Sequence, residues 1–232
     1  CLVGSEMCIR DRNDSPEKIL ELLKNARNIA LFTHSRPDGD AIGSTLALKS
    51  ALERMGKKAF AFCDTEIGHK YDSLGFGKFF SDTPRGNFDL YVALDCGDSG
   101  RLGDLSEFFL KQTNTLSIDH HYSHISFSKY NYVVDCSSTC ELVYKLLKLS
   151  GTEIDAESAR LLYIGLSTDT GNFSHSNTTS EVFEIASSLA EKGIDIADLY
   201  DKLYASSRFE RTRLLGRVLG LSLIHISEPT RH

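Results

Sequence analysis

Acidic and histidine side chains recur in four short clusters of this chain, and their types suit divalent cations. The clusters are His34 with Asp38 and Asp40, then Asp95, then Asp119-His120-His121, and last Asp169. Carboxylate oxygens and imidazole nitrogens are ligands that Mn²⁺ and Mg²⁺ accept. A single Asp-His-His triplet would be weak evidence, but four clusters in this order predict one site that holds two metal ions.

The first cluster lies in a turn whose side chains can face two sides of a site. His34 is followed closely by Asp38 and Asp40, so one imidazole and two carboxylates can reach two adjacent cations. Taken alone, the turn fits equally well as an ordinary surface turn with a capping aspartate. The helix that follows would direct its N-terminal amides, with Gly43-Ser44, at a phosphate.

The remaining clusters would complete the cage around the metals. Asp95 ends an apolar strand, where a buried carboxylate must be hydrogen bonded, paired or bound to metal. Alone it would more often be a structural cap, whereas beside the other clusters it fits a bridging ligand. We expect His120 to bind metal, His121 to face the substrate and Asp169 to close the cage. Arg101 fits a phosphate contact and a structural ion pair equally well.

Several other reactive side chains receive no function. Three histidines are expected to be solvated loop residues: His69, His124 and His175. Of the six cysteines, the four outside residues 1–12 have no Cys-x-x-Cys spacing and are expected to be reduced thiols in or near the core: Cys63, Cys96, Cys136 and Cys140.

Strands and helices alternate along the chain and place the clusters near element ends. Strands are expected at residues 28–33, 58–63, 89–94 and 115–118, and helices at 41–55, 138–149, 156–166, 180–192 and 196–204. This alternation predicts an α/β fold with a doubly wound, mainly parallel sheet that has helices on both faces. Such sheets present functional side chains at the carboxyl ends of their strands.

Composition limits the partners of the chain. Its 232 residues carry a formal net charge of −6, which argues against a broad surface for long duplex nucleic acid. Bound divalent cations would still permit a small phosphorylated substrate. No stretch approaches the roughly 18 apolar residues of a membrane span. We therefore expect a soluble, cytoplasmic protein that does not bind membranes.

The two ends of the chain have a separate origin. One reading of the codons for residues 1–12 has a reverse complement that encodes residues 221–231, as expected for a sequencing adapter translated from opposite strands. Residues 1–12 and 221–232 are therefore excluded from the interpretation of the fold. We expect a catalytic domain over residues 13–205 and an arginine-rich linker helix over residues 206–220.

Over residues 16–220 the chain resembles the DHH phosphoesterase superfamily. The matching motifs are His34-x-x-x-Asp38-x-Asp40-x-x-Gly43-Ser44, Asp95, Asp119-His120-His121 and Asp169. The segment around Asp169, with Arg101, is most similar to the nanoRNase and pAp phosphatase group, while family II inorganic pyrophosphatases share less of it. The resemblance implies two metal sites with Asp95 bridging: His34, Asp38 and Asp95 in one, and Asp40, Asp95, His120 and Asp169 in the other.

The resemblance also implies a function. It indicates a phosphoesterase that uses two divalent cations, Mn²⁺ or else Mg²⁺, to hydrolyse short oligoribonucleotides or 3'-phosphoadenosine 5'-phosphate. Asp95 and His121 would be its catalytic residues, with His121 stabilising phosphoryl oxygens or protonating the leaving group. Hydrolysis of pyrophosphate or of a cyclic-dinucleotide product, and nucleotide binding without turnover, stay open as alternatives, as does a homodimer.

The superfamily has a second domain with a Gly-Gly-His-like motif that grips the substrate. Nothing before Leu221 matches that motif. We therefore expect this chain to bind metal but to act weakly on oligoribonucleotides.

Overall fold

The computed structural model describes residues 13–205 and 212–220. The chain divides into two compact units, Cys1–Ile194 and Asp195–His232. The first unit ends before the domain boundary expected at residue 205. The proposed adapter segments, residues 1–12 and 221–232, and residues 206–211 of the expected linker lie outside the described residues.

In the described part of the first unit, six strands form one sheet in which every neighbouring pair is parallel. In chain order they are β1 (Asn28–Thr33), β2 (Lys58–Phe62), β3 (Phe80–Ser81), β4 (Leu90–Leu94), β5 (Thr115–Asp119) and β6 (Tyr130–Val133). In space their order is β3-β2-β1-β4-β5-β6. The direction of winding therefore reverses between β1 and β4, whose carboxyl ends flank the crevice where open α/β sheets bind ligands.

Seven α-helices accompany the sheet in the described part of this unit. They are α1 (Pro16–Asn25), α2 (Gly39–Arg54), α3 (His69–Asp72), α4 (Ser106–Leu110), α5 (Thr139–Ser150), α6 (Ala156–Asp169) and α7 (Ser180–Ala190). A 3₁₀ segment, Ser99–Leu105, precedes α4. The predicted α/β fold with a doubly wound parallel sheet is confirmed.

The central strands are buried on both faces, as their uninterrupted apolar sequences require. Ala30 and Phe32 of β1 contribute to an aromatic cluster that also contains Phe109 of α4. Ile29 and Leu31, which alternate with them along β1, are fully buried as well. The functional side chains therefore emerge only where these strands end.

Helices α2 and α6 approach each other closely because glycines line their contact. A Cβ atom on Gly43 would lie 2.4 Å from the backbone oxygen of Leu161, and one on Gly165 would lie 2.7 Å from Oδ1 of Asp40. Any larger residue at these positions would force the helices apart. This approach helps to bury Asp40 in the first turn of α2.

The described residues of the second unit are helical. They form α8 (Ile196–Tyr200), a π-helical turn at Asp201–Ala205 and a helix, α9, over residues 212–220. Among the residues that the structure describes, no helix has both the length and the apolar character needed to cross a membrane.

Candidate metal centre

The structure brings together the side chains of all six residues expected to bind metal. His34, Asp95 and His120 directly follow β1, β4 and β5, while Asp38 caps α2. Asp40 lies in the first turn of α2, and Asp169 is the last residue of α6. Within the described residues, three groups have ligand atoms within 4.8 Å of one another: His34 with Asp38 and Asp95, Asp40 with His120 and Asp169, and Asp95 with His120 and His121.

Asp95 faces two histidines with its two carboxylate oxygens. Its Oδ2 lies 3.8 Å from Nε2 of His34, and its Oδ1 lies 3.5 Å from Nε2 of His120. The side chain is buried, and the hydroxyl of Thr139 donates to Oδ1 at 3.1 Å. One carboxylate therefore belongs to both halves of the centre.

The backbone of Asp95 adopts an unusual conformation. Its φ angle is +58°, in the left-handed region that non-glycine residues seldom occupy and that costs about 1–3 kcal/mol. Its N–H donates to the carbonyl of Ile118 at 3.0 Å. Strain of this kind is typical of functional sites. Here it occurs at the residue that joins the two halves of the centre.

His34 belongs to the first half of the centre. Its Nδ1 contacts the carbonyl of Ser35 at 2.9 Å, and its Nε2 lies 3.9 Å from Oδ1 of Asp38. Burial lowers the pKa of His34, but Asp38, the Ser35 carbonyl and Asp95 raise it above its ordinary value. The contact with Ser35 assigns a proton to Nδ1 and directs Nε2 toward the carboxylates.

His120 occupies the second half, among three carboxylates. Its Nε2 lies 3.1 Å from Asp169, 3.5 Å from Asp95 and 3.9 Å from Asp40. Burial lowers the pKa of His120, but Asp169, Asp95 and Asp40 more than offset this and raise it to about 11. So much negative charge around one nitrogen favours a positive charge at this point.

Asp40 is held by the N-terminus of α5. Its Oδ2 accepts the backbone N–H of Thr139 at 2.6 Å, and its Oδ1 accepts that of Cys140 at 2.8 Å. Burial, with the charges of Asp95 and Asp169, raises the pKa of Asp40 well above its ordinary value. The helix amides stabilise a carboxylate there and fix the direction of both oxygens.

This donor set fits divalent cations. Nε2 of His34 and Nε2 of His120 are buried, and neither makes a well-aligned hydrogen bond with the described residues, although carboxylate oxygens lie 3.1–3.9 Å away. A buried polar atom without a well-aligned partner costs free energy, and a shared cation would satisfy it. Both imidazoles contact a backbone carbonyl through Nδ1, His120 that of Cys136 at 3.3 Å. Such contacts orient metal-binding histidines in proteins.

Asp119 lies beside this centre and holds two further histidines. Its Oδ1 is 2.7 Å from Nδ1 of His121, and its Oδ2 is 2.6 Å from Nδ1 of His124. Burial raises the pKa of Asp119, but the hydrogen bonds from His121 and His124 hold it far below its ordinary range. The contact with Asp119 in turn raises the pKa of His121, against the effect of burial.

The expectation that His124 is solvated is wrong. His124 is 5% exposed because its ring packs beside Phe127 and bonds to Asp119. His69 and His175 are exposed, as predicted. Nearness to the Asp-His-His triplet was the only sequence signal for His124, because residues of an irregular loop follow no helical or strand period.

A model of the DHH family, N-terminal domain, matches residues 28–166. The chain belongs to the DHH family. Every ligand position in the centre except Asp169 lies within that match, and Asp169 follows it in α6.

Two NrnA proteins and a solved exopolyphosphatase-related protein are similar to this DHH chain. A bifunctional oligoribonuclease and PAP phosphatase NrnA of Thermus thermophilus is 37% identical over 217 residues, which are 89% of this chain and 63% of the relative. The NrnA of Bacillus subtilis is 27% identical over 182 residues, 76% of this chain and 56% of the relative. A solved exopolyphosphatase-related protein from Bacteroides fragilis superposes with a TM-score of 0.83 at 29% identity, covering 88% of this chain and 64% of that one. The chain therefore spans less than two thirds of each of these proteins.

The expectation that Ser44 contacts a phosphate of the substrate is wrong. Ser44 is fully buried inside α2, and its hydroxyl donates to the carbonyl of Asp40 at 2.7 Å. Gly43 meets the backbone of α6. Neither residue is available to a phosphate, since both serve the packing of α2 against α6.

Arg101 is exposed at the edge of the DHH site. Its backbone carbonyl accepts the N–H of Ser35 at 2.7 Å, which joins the segments after β1 and β4. Its guanidinium has no ion pair with any residue that the structure describes. The alternative of a structural ion pair therefore has no support there, and the phosphate contact of Arg101 stays a prediction.

No thiol of the four cysteines that the structure describes belongs to the three groups of candidate ligands. All four are free thiols, with Cys63, Cys96 and Cys140 buried and Cys136 partly buried, as predicted. Burial raises the pKa of the Cys140 thiol well above its ordinary value, and the charge of Asp40 adds to this effect.

Proposed function

We propose that this chain carries the catalytic centre of a two-metal phosphoesterase that hydrolyses short oligoribonucleotides or 3'-phosphoadenosine 5'-phosphate. The observation that carries the proposal is the arrangement around Asp95, whose two oxygens face the buried Nε2 atoms of His34 and His120. A phosphoesterase needs concentrated positive charge to bind and activate an anionic substrate. Two cations in this acidic crevice would supply that charge.

The side chains divide into two ligand sets that share Asp95. His34, Asp38 and Asp95 would hold one cation, and Asp40, Asp95, His120 and Asp169 the other. We propose Mn²⁺ as the preferred ion and Mg²⁺ as its substitute, because mixed carboxylate and imidazole donors suit both ions. When bound, such cations supply Lewis-acid activation of water and neutralise charge on phosphoryl oxygens.

His121 is the side chain of this protein that would donate a proton to the substrate. Its Nδ1 contacts buried Asp119, so Nε2 is the nitrogen that can meet the substrate. The side chain is 36% exposed, enough for a ligand to reach it. A protonated His121 would donate from Nε2 to a phosphoryl oxygen or to the leaving oxygen. Exposed Arg101 would pair with a second phosphate of a nucleotide substrate.

The substrate class rests on two observations. The NrnA relatives are named for oligoribonuclease and PAP phosphatase activities, and their names support small phosphorylated nucleotides as the substrates of this chain. The net charge of −6 disfavours a long polyanion. A cytoplasmic enzyme that acts on the ends of short RNA fits both observations.

Removal of metal tests the proposal. The 232-residue chain is dialysed against a chelator and assayed with an activated phosphodiester, with 3'-phosphoadenosine 5'-phosphate, with a short oligoribonucleotide and with pyrophosphate. We expect no turnover without metal and recovery with Mn²⁺ or Mg²⁺, weak on the oligoribonucleotide but with the nucleotide substrates still preferred over pyrophosphate. Unchanged turnover after chelation would contradict the two-metal mechanism, and preference for pyrophosphate would contradict the substrate class.

A further inference from the structure

The carboxylate of Asp119 is shared between two imidazoles and cannot move freely. It is fully buried at the end of β5, and the backbone carbonyl of Asp119 accepts the N–H of Val134 at 3.1 Å. Oδ1 contacts His121 and Oδ2 contacts His124, both within 2.7 Å. The side chain therefore links the half-exposed His121 to a second, buried histidine.

His124 is anchored to the hydrophobic core. Its ring centroid lies 5.7 Å from that of Phe127, which lies 5.6 Å from that of Phe109 in the aromatic cluster. Its backbone N–H donates to the carbonyl of His121 at 3.1 Å, closing the turn that carries both rings. A continuous series of contacts thus runs from the core through His124 and Asp119 to His121.

The geometry also assigns the proton that His124 shares with Asp119. Nε2 of His124 is buried without a hydrogen-bond partner among the described residues. A proton placed there would be a buried, unpaired donor, which is costly. The proton therefore lies on Nδ1, from which it is donated to Oδ2 of Asp119.

We propose that His124 is a positioning residue which, through Asp119, fixes the orientation of His121 so that Nε2 faces the substrate. The inference rests on the proposed function for the identity of the reaction. It assigns a role to a residue outside the ligand sets and outside the Asp-His-His triplet. Without the bond to His124, Asp119 could turn, and His121 would lose the acceptor that holds its ring.

Two substitutions separate this role from simple packing. In His124→Asn the amide nitrogen takes nearly the place of Nδ1 and can still donate to Asp119, whereas His124→Leu fills the space without a donor. For His124→Leu we expect kcat on an activated phosphodiester to fall by about 10–100-fold, the range typical of groups that orient active-site histidines. KM and the affinity for Mn²⁺ should stay near those of the wild type. His124→Asn should restore most of kcat.

His69→Leu is the matched control, because it replaces an exposed histidine with the same residue and should leave activity unchanged. In a His121→Ala background, His124→Leu should lower kcat little further, since the ring that His124 positions is gone. Equal losses of kcat in His124→Leu and His124→Asn would overturn the proposal. So would a His124→Leu effect on kcat that is as large in the His121→Ala background as in the wild type.

A spectroscopic test does not depend on the substrate. In the metal-free protein, nuclear magnetic resonance should detect a Nδ1 proton of His121 that is shifted downfield and protected from exchange by Asp119. We expect His124→Leu to lose this protection and His124→Asn to keep it. Unchanged protection in His124→Leu would overturn the proposal. If the wild-type chain hydrolyses no phosphoester, the proposed function fails, and this resonance still decides the role of His124.

Discussion

Asp95 combines burial, a left-handed backbone and contacts with two imidazoles. A strand-end aspartate that served only as a cap would need neither of the last two properties. The positive φ occurs directly after β4, beside the winding reversal of the sheet. At the scale of single residues, this position joins the two proposed metal sites.

Asp95→Asn tests that role. Asparagine tolerates a positive φ as well as aspartate does, so the fold should be kept, while the charge shared by both cations is lost. We predict a fall in kcat of ~10³-fold or more, measured on an activated phosphodiester with thermal unfolding as the check on folding. Asp82→Asn removes an equal charge from an exposed loop and should have no effect. Near-normal turnover in a folded Asp95→Asn protein would contradict the bridging role.

The sequence located the acidic and histidine side chains that the structure brings together, but it misplaced two of their neighbours. The types of those side chains and their places after apolar strands carried the signal, and their role as metal ligands stays a prediction. Ser44 misled because a serine near a helix start can bind phosphate, whereas here it packs inside α2. His124 was assigned to solvent because its burial depends on Phe127 and Asp119, contacts that the sequence alone does not reveal.

Helix α5 positions the centre through its N-terminal turns. Its first amides hold Asp40, and buried Glu141 accepts hydrogen bonds from Ser137 and Lys145. Lys145 also pairs with Glu181 of α7. Burial would raise the pKa of Glu141, but the bonds from Lys145 and Ser137 hold it below its ordinary value of 4.5. The ionised form of Glu141 therefore stabilises the fold.

We predict that Glu141→Gln lowers the free energy of unfolding by about 1.5–3 kcal/mol at pH 7, the range for hydrogen bonds to charged groups. Because the folded pKa is lowered, the stabilisation is complete above pH 4.5 and is lost as the pH falls through the folded pKa. The difference in the free energy of unfolding between wild type and variant should thus disappear in acid, as measured by urea denaturation. Glu181→Gln, at an exposed partner of the same lysine, should change little. A difference that persists in acid would be evidence against this assignment.

The contact between α2 and α6 depends on Gly165. An added Cβ would lie 2.2 Å from Sγ of Cys140 and 3.0 Å from Cα of Asp40. The Cα of Asp40 is a backbone atom, so it cannot move away without shifting α2. We predict that Gly165→Ala destabilises the fold by about 1–3 kcal/mol and weakens Mn²⁺ binding, because Asp40 must shift. Chemical denaturation and calorimetry measure the two effects. Gly68→Ala, which meets open space, is the control, and equal behaviour of the two variants would refute the packing argument.

Sequence patterns located most elements but missed two edge strands. β3 is two residues long, and β6 contains Asn131, so neither shows the apolar run that identified β1 and β4. Helix α6 continues to Asp169, past the expected end near Leu166. The proposed ligand Asp169 therefore lies at a helix end and not in a loop. These boundaries depend on tertiary packing, which local sequence patterns do not reveal.

At the scale of the whole molecule, the alternation of strands and helices was sufficient to predict the fold class. The strand order β3-β2-β1-β4-β5-β6 places the ends of β1, β4 and β5 side by side. That adjacency explains how clusters far apart in sequence form one centre. The order itself could not be predicted, because strand neighbours are chosen by long-range contacts.

The number of metal ions that the chain binds is the sharpest test of the proposed two-metal centre. The chelator-treated 232-residue chain is titrated with Mn²⁺ by calorimetry, and the metal content of the saturated protein is counted by native mass spectrometry. We predict two Mn²⁺ ions per chain, with both sites weakened in Asp95→Asn and neither in Asp82→Asn. Saturation at a single ion, or two ions bound with unchanged affinity in Asp95→Asn, would contradict the two-metal centre.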